Sequence, residues 1–250
     1  MDALNNPPVR SGINSAMLFL AALAAVALVV LAFLPPIPQD PHYHAFADQR
    51  RLVGVPHFWN VVSNLPFLAV GAVGLMRFSD LTTRVLFIGI FLTGIGSSYY
   101  HLAPDDGTLF WDRLPMTIGF MALLAGAIGE RTSARTGVLA LWPLLALGLA
   151  SLMLWRWTGD LRLYGLVQFY PVVALPILYW LFPTYTGASY LIAAAAIYVL
   201  AKLLEHFDVA INGALGGVLS GHTFKHLAAA AACWAIVLYF TERKPLDIGR

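Results

Sequence analysis

Eight runs of mostly apolar residues divide this 250-residue chain, near 15–35, 58–77, 83–101, 114–130, 137–155, 164–182, 187–205 and 222–240. A helix needs about 20 such residues to cross the hydrocarbon of a bilayer. Only helices and closed barrels satisfy their backbone there, because no water is present to do it. The pattern therefore predicts an all-α integral membrane protein. Charged residues make up 11% of the chain, against about 25% in soluble domains, too few to coat a soluble globule of this size. The formal net charge of +2 offers no basic surface for nucleic acid. Few residues remain outside the runs, so residues 1–250 read as a single transmembrane helical domain.

The first run follows Arg10, as the apolar part of a secretory leader would. It is long, however, and ends in "LPPIPQD" without a small-x-small cleavage site, so it reads as a retained helix. Basic residues at the helix ends set the orientation. Arg10, Arg77, Arg84, Arg131, Arg135, Arg243, Lys244 and Arg250 fall on the side of the N-terminus, and Arg50, Arg51, Arg113, Arg156 and Arg162 on the other. The bias of eight to five favours both termini in the cytoplasm. Cys233 is the single cysteine, so no internal disulfide can form, and it reads as a small core residue.

Ionisable groups inside such a chain are expensive and therefore informative. His101 ends the third run, Asp112 opens the fourth, and His222 and His226 open the eighth. With the orientation above, all four lie at the same, non-cytoplasmic depth. His222 and His226 are i and i+4, which puts both imidazoles on one helix face. With His101 they make three nitrogen ligands, the usual protein complement of a catalytic zinc ion that keeps a fourth position open. Ser97 lies one turn before His101 on the same face, and Asp112 enters from a short loop as a candidate general base. Other readings exist for each piece: an H-x-x-x-H pair could be packing, Asp112 could pair with Arg113 or cap its helix, and Ser97 could bond back to its own helix. Opposite axial ligation of one haem is excluded for two histidines on one helix face.

Four segments together resemble the alkaline ceramidases and, more distantly, the CREST superfamily of membrane hydrolases that includes the adiponectin-type receptors. They are "FWNVVSNLPF" at 58–67, "GIGSSYYHLAP…LFWDRLPM" at 94–116, "AKLLEHFDVAI" at 201–211 and "GHTFKHLAAAAACW" at 221–234. Ser97, His101, Asp112 in its D-x-x-P-M context, His222 and His226 match the family pattern in order. The resemblance implies a seven-helix catalytic bundle over about 40–241, with the helix near 15–35 as an addition that turns the N-terminus to the cytoplasm. It implies zinc held by His101, His222 and His226, with Asp112 and Ser97 on the catalytic water or the developing oxyanion. The implied activity is a zinc-dependent amidase acting on ceramide or a related lipid amide taken from the bilayer, releasing a sphingoid base and a fatty acid. The acidic calcium-binding cluster of eukaryotic members is not matched: His57 stands where a glutamate would precede Phe-Trp-Asn, and Asp48 is the one plausible oxygen ligand left. The short termini and "HAFADQRRLVGVP" point to a bacterial member in an inner membrane.

Rival classes are a membrane lipid receptor that holds zinc without turnover, and a proton or ion conductor with His101 and Asp112 in its path. Of the remaining polar groups, Asn60, Ser63 and Asn64 are expected to bond between helices, with Asn64 able to support a zinc histidine. Glu205 and Asp208 could face the bundle and support Lys225 or an imidazole, while His206 shares that helix end. Asp160, Arg162 and Gln168 read as a self-paired interfacial loop, and Trp111, Trp155, Trp157 and Tyr164 as interfacial aromatics.

Overall fold

The computed structural model describes residues 8–247, with side chains from Ser15 onward. Arg250 and the Arg10 side chain, both used above for orientation, lie outside the described residues. The chain is helical throughout: α1 (Pro8–Phe33), α2 (Phe58–Val62), α3 (Leu65–Arg77), α4 (Leu81–Leu102), α5 (Asp106–Arg131), α6 (Ala134–Thr158), α7 (Arg162–Leu181), α8 (Ala188–His206), α9 (Asp208–Ala214) and α10 (Gly221–Glu242). Among the described residues the only extended pairings are isolated bridges. Among the described residues seven segments are long and apolar enough to cross a membrane, α2 and α3 together forming one of them.

The fourth expected run lies within α5, which is 26 residues long but carries Asp106, Asp112, Arg113, Glu130 and Arg131 near its ends. These groups are tolerated because α5 is wedged among α4, α6 and α7, where Asp112, Arg113 and Arg131 are buried. The helix also starts at Asp106 rather than near 114. Asp105 accepts from the Thr108 backbone N–H at 2.7 Å, and the Thr108 hydroxyl accepts from the Asp105 N–H at 3.1 Å. This reciprocal cap supplies the first turn of α5 with hydrogen-bond partners. It also holds the Asp105 carboxyl below the usual carboxylate range. At the far end, Glu130 accepts from the Tyr179 and Tyr239 hydroxyls and pairs with Arg243, tying α5, α7 and α10 together.

The second run breaks between α2 and α3. Pro66 lacks an N–H and its ring clashes with the carbonyl four residues earlier, at Val62, so α2 cannot run on and the chain turns at Ser63 and Asn64 before α3. The break leaves Asn60, Ser63 and Asn64 buried inside the bundle. Helix α1 is exposed along most of its length. Its C-terminal end is held by Arg162, which donates to the Leu34 carbonyl at 2.6 Å and the Leu31 carbonyl at 3.2 Å. A guanidinium at a helix C-terminus satisfies carbonyls that have no helical partner. Asp160 accepts from Arg162 at 2.8 Å and from the Ile37 N–H at 3.2 Å, so the expected loop pairing is present and also fastens α1. Gln168 takes no part in it and donates instead to the Tyr198 hydroxyl at 2.5 Å.

Alternating helices bring the C-terminal ends of α4 and α8, the N-terminal ends of α2, α5 and α10, and the 34–57 segment to one end of the bundle. α4 and α5 reach close contact through Gly89, where an added Cβ would lie 2.7 Å from the Gly119 nitrogen and 3.0 Å from the Pro115 carbonyl oxygen. Small residues let membrane helices approach in this way. Gly89→Val should therefore destabilise the protein by about 1–3 kcal/mol, as overpacking does. Gly119→Ala, whose Cβ would meet only Leu86 at 3.9 Å, should leave the melting temperature in detergent within a few degrees of the parent.

Candidate metal centre

His101 is the last residue but one of α4, while His222 and His226 occupy the first two turns of α10. Ser220 caps α10 by accepting from the Thr223 N–H at 3.2 Å, which fixes where the helical count begins. The three imidazoles converge: each offers a ring nitrogen, and these nitrogens all lie within 4.8 Å of one another. His101 is 0% exposed and the other two are each 3% exposed. Neither ring nitrogen of His101, nor Nε2 of His226, has a hydrogen-bond partner. Buried polar atoms are nearly always satisfied, and leaving one unpaired costs about 1–3 kcal/mol. Three such rings pointing into one gap fit a divalent metal ion, so the triad could bind one.

The surrounding groups set the ring orientations. The Ser63 hydroxyl donates to the Asn60 carbonyl at 3.3 Å and lies 2.8 Å from Nδ1 of His226. A metal held by Nε2 would require the tautomer in which Nδ1–H donates to Ser63, and this contact suits that tautomer. Here Ser63, not Asn64, supports the histidine. Asn64 donates back to the Asn60 carbonyl at 2.7 Å, and the chain's turn ahead of Pro66 decides which of the two reaches α10. Asn60 does bond between helices, accepting from the Thr223 and Ser220 hydroxyls at 3.0 and 3.3 Å.

Asp208 accepts from the His222 backbone N–H at 2.7 Å and from the Ala47 N–H at 2.9 Å, so it supports the histidine's backbone rather than its ring. Phe46 packs edge-on against His101 and His222, with ring centroids 4.6 Å from each. His57 lies 2.9 Å from the His101 carbonyl through Nδ1. Asp48 is buried and engaged with the Arg50 guanidinium at 2.8 Å and the Trp59 N–H at 3.3 Å, which orders the segment leading into α2. His206 is exposed and stands apart from this network.

Asp112 and Ser97 are both buried and line the same cavity as His226. The cavity encloses about 480 Å³ and continues along Phe120, Leu175, Ala194 and Ile236 into the apolar interior. Helix back-bonding is done by Ser98, to the Gly94 carbonyl at 2.7 Å, and Ser97 borders the cavity with Asp112. Asp112 caps no helix, since Asp105 does, and forms no ion pair with Arg113. Arg113 donates to the Gln39 side chain at 2.8 Å and stacks over Trp155, Tyr164 and Tyr43 at 4.5, 4.8 and 5.3 Å. Trp155 and Tyr164 are consequently buried rather than interfacial, while Trp111 and Trp157 are exposed as expected. Cys233 reaches the cavity wall and is partly buried.

Lys225 takes Glu205 as its partner, one of the pairings expected from the sequence. Its ammonium donates to Glu205 at 2.7 Å and approaches Nε2 of His222 at 3.4 Å. Lys202 pairs with the same carboxylate. The spacing of Lys225, three residues after His222, was the available signal; Tyr43, Phe46, His57 and Ser63 carried none, since they reach the site by tertiary approach.

Outer partners of metal-bound histidines typically contribute 10–100-fold to metal affinity. Ser63→Ala should weaken binding of a divalent metal by about that factor, read by competition with a chromophoric chelator, while Asn64→Ala should weaken it less. No protein-family model matches this chain, and no curated protein is significantly similar to it, so the likeness to alkaline ceramidases rests on the quoted motifs.

Proposed function

We propose that this chain is a zinc-dependent intramembrane hydrolase that cleaves the amide bond of ceramide or a related lipid amide. What carries the reading is the shared cavity: one space is bordered by a triad histidine, by a buried carboxylate–hydroxyl pair, and by an apolar tunnel suited to an acyl chain. Pockets that bury a lipid-sized ligand are typically apolar with a few convergent polar groups. The metal-binding cluster comprises the three histidines without Asp112, which supports an open catalytic position over a closed structural site.

His101, His222 and His226 would hold the ion through neutral imidazoles, a donor set suited to zinc. When bound, zinc supplies Lewis acidity that polarises a carbonyl and acidifies water. Asp112 takes the proton of the attacking water and delivers it to the leaving amine, the double duty of a general base. Ser97 borders the cavity with Asp112 and donates to the carbonyl oxygen as it becomes an oxyanion, a contact typically worth about 2.7–4 kcal/mol. The apolar tunnel orders the acyl chain, and Phe46 closes one side of the triad from outside the helices. The charge bias places this machinery on the non-cytoplasmic side, with both termini in the cytoplasm.

Two variants separate metal binding from proton transfer. His222→Ala should lose both the bound metal and turnover. Asp112→Ala should retain stoichiometric metal by elemental analysis while its hydrolysis of lipid amides falls by about 10²–10⁴-fold. Turnover of Asp112→Ala at the parent rate would remove the proton-transfer role. Tight lipid binding without release of any free amine from the metal-loaded parent would assign the chain to the receptor class instead.

A further inference from the structure

The polar end of the cavity holds more positive charge than the local carboxylates balance. Its charged border consists of Asp112, Arg113, Arg162, Lys202 and Lys225. Arg162 is taken by Asp160 at 2.8 Å. Lys202 and Lys225 share one carboxylate, Glu205. Asp112 is buried and takes part in no salt bridge among the described residues. Three cations, Arg113, Lys202 and Lys225, therefore face two carboxylates, Asp112 and Glu205, leaving a surplus of one positive charge beside the triad. Arg113 is only 5% exposed, and its Nη1 has no hydrogen-bond partner. Tyr43 joins the two halves of the cluster: its ring lies 5.3 Å from the Arg113 guanidinium carbon and its hydroxyl donates to Glu205 at 3.3 Å.

An uncompensated cation at this depth is costly unless a counter-charge arrives. We propose that Arg113, Lys202 and Lys225 form a subsite for a carboxylate on the amine half of the substrate, so that the preferred lipid amide is an N-acyl amino acid. This rests on the hydrolase reading above and narrows its substrate. Counted on the side chains alone, apart from the charge of a metal ion at the triad, the surplus is one, which a monoanion matches. A planar guanidinium with a free N–H also suits carboxylate geometry. The neutral diol of ceramide would leave Arg113 Nη1 unpaired.

The test uses the full-length protein in detergent and non-cleavable ketomethylene analogues of N-palmitoylglycine and N-palmitoylethanolamine, with palmitate as a third ligand. The parent should bind the carboxylate analogue at least about tenfold more tightly than its hydroxyl counterpart, a difference of about 1.4 kcal/mol. Lys202→Met brings the local surplus to zero and should erase that preference, and Arg113→Gln should do the same if it folds. Glu205→Gln raises the surplus and should increase the preference. Lys244→Met, at the other end of the bundle, should leave it unchanged. Equal affinities in the parent, or a preference that survives Lys202→Met, would overturn the subsite. Palmitate binding as tightly as the glycine analogue would place the anion contact at the acyl carboxyl and likewise overturn it. Hydrolysis of neutral amides with no anion preference would sink the subsite and spare the hydrolase. Anion preference without hydrolysis would do the reverse.

Discussion

Three imidazoles meet inside a helical bundle at a depth where unpaired nitrogens have no water to turn to. His101 offers both ring nitrogens without a partner, and His226 offers Nε2. The arrangement around them makes physical sense if a cation completes it, because bringing buried polar atoms together without one would add desolvation for nothing in return. Much of the local architecture holds that convergence. Asp208 links the backbone of His222 to Ala47, and Asn60 fastens α2 to the first turn of α10. The 34–57 segment is drawn across the end of the bundle, so that Phe46 lies on two of the three rings.

The helices serve the site by where they end. α4 and α8 deliver their C-termini to it, and α2, α5 and α10 their N-termini, so a single layer at one end of the bundle collects the triad, Asp112 and the charged groups that border the cavity. Below that layer the interior is apolar, and the cavity passes from one zone into the other. A hydrolase of membrane lipids needs this gradient, with reactive groups at the depth of a scissile bond and hydrocarbon below. The opposite end has its own buried polar knot in Glu130, Tyr179, Tyr239 and Arg243, which ties three helices together far from the triad. The two polar layers bracket the bundle, and only the triad layer opens onto the cavity.

Charge distribution separates binding from chemistry within that layer. Asp112 is kept out of ion pairs, although Arg113 is its neighbour in sequence, because the guanidinium is held by Gln39 and an aromatic cage. A carboxylate neutralised by a bidentate arginine would be a poor proton acceptor. Holding the arginine away leaves Asp112 available to a reacting group and leaves Arg113 Nη1 available to a ligand.

By itself, the sequence determined the membrane class, the long helices and the identity of the three histidines. Each of these follows from a strong local signal: runs of about 20 apolar residues, the i and i+4 spacing on one face, and ionisable groups where lipid would exclude them. Tertiary structure decided what no spacing encodes. It selected Ser63 over Asn64 for His226, because the break ahead of Pro66 sets which side chain reaches α10. It buried Trp155 and Tyr164 around Arg113, since only an assembled bundle can enclose that charge. It moved the start of α5 back to Asp106, where a reciprocal cap with Thr108 outweighs the low hydropathy of that stretch. It also chose between the two carboxylates open to Lys225, giving it Glu205 and turning Asp208 to the His222 backbone, because that choice depends on how α8, α9 and α10 pack.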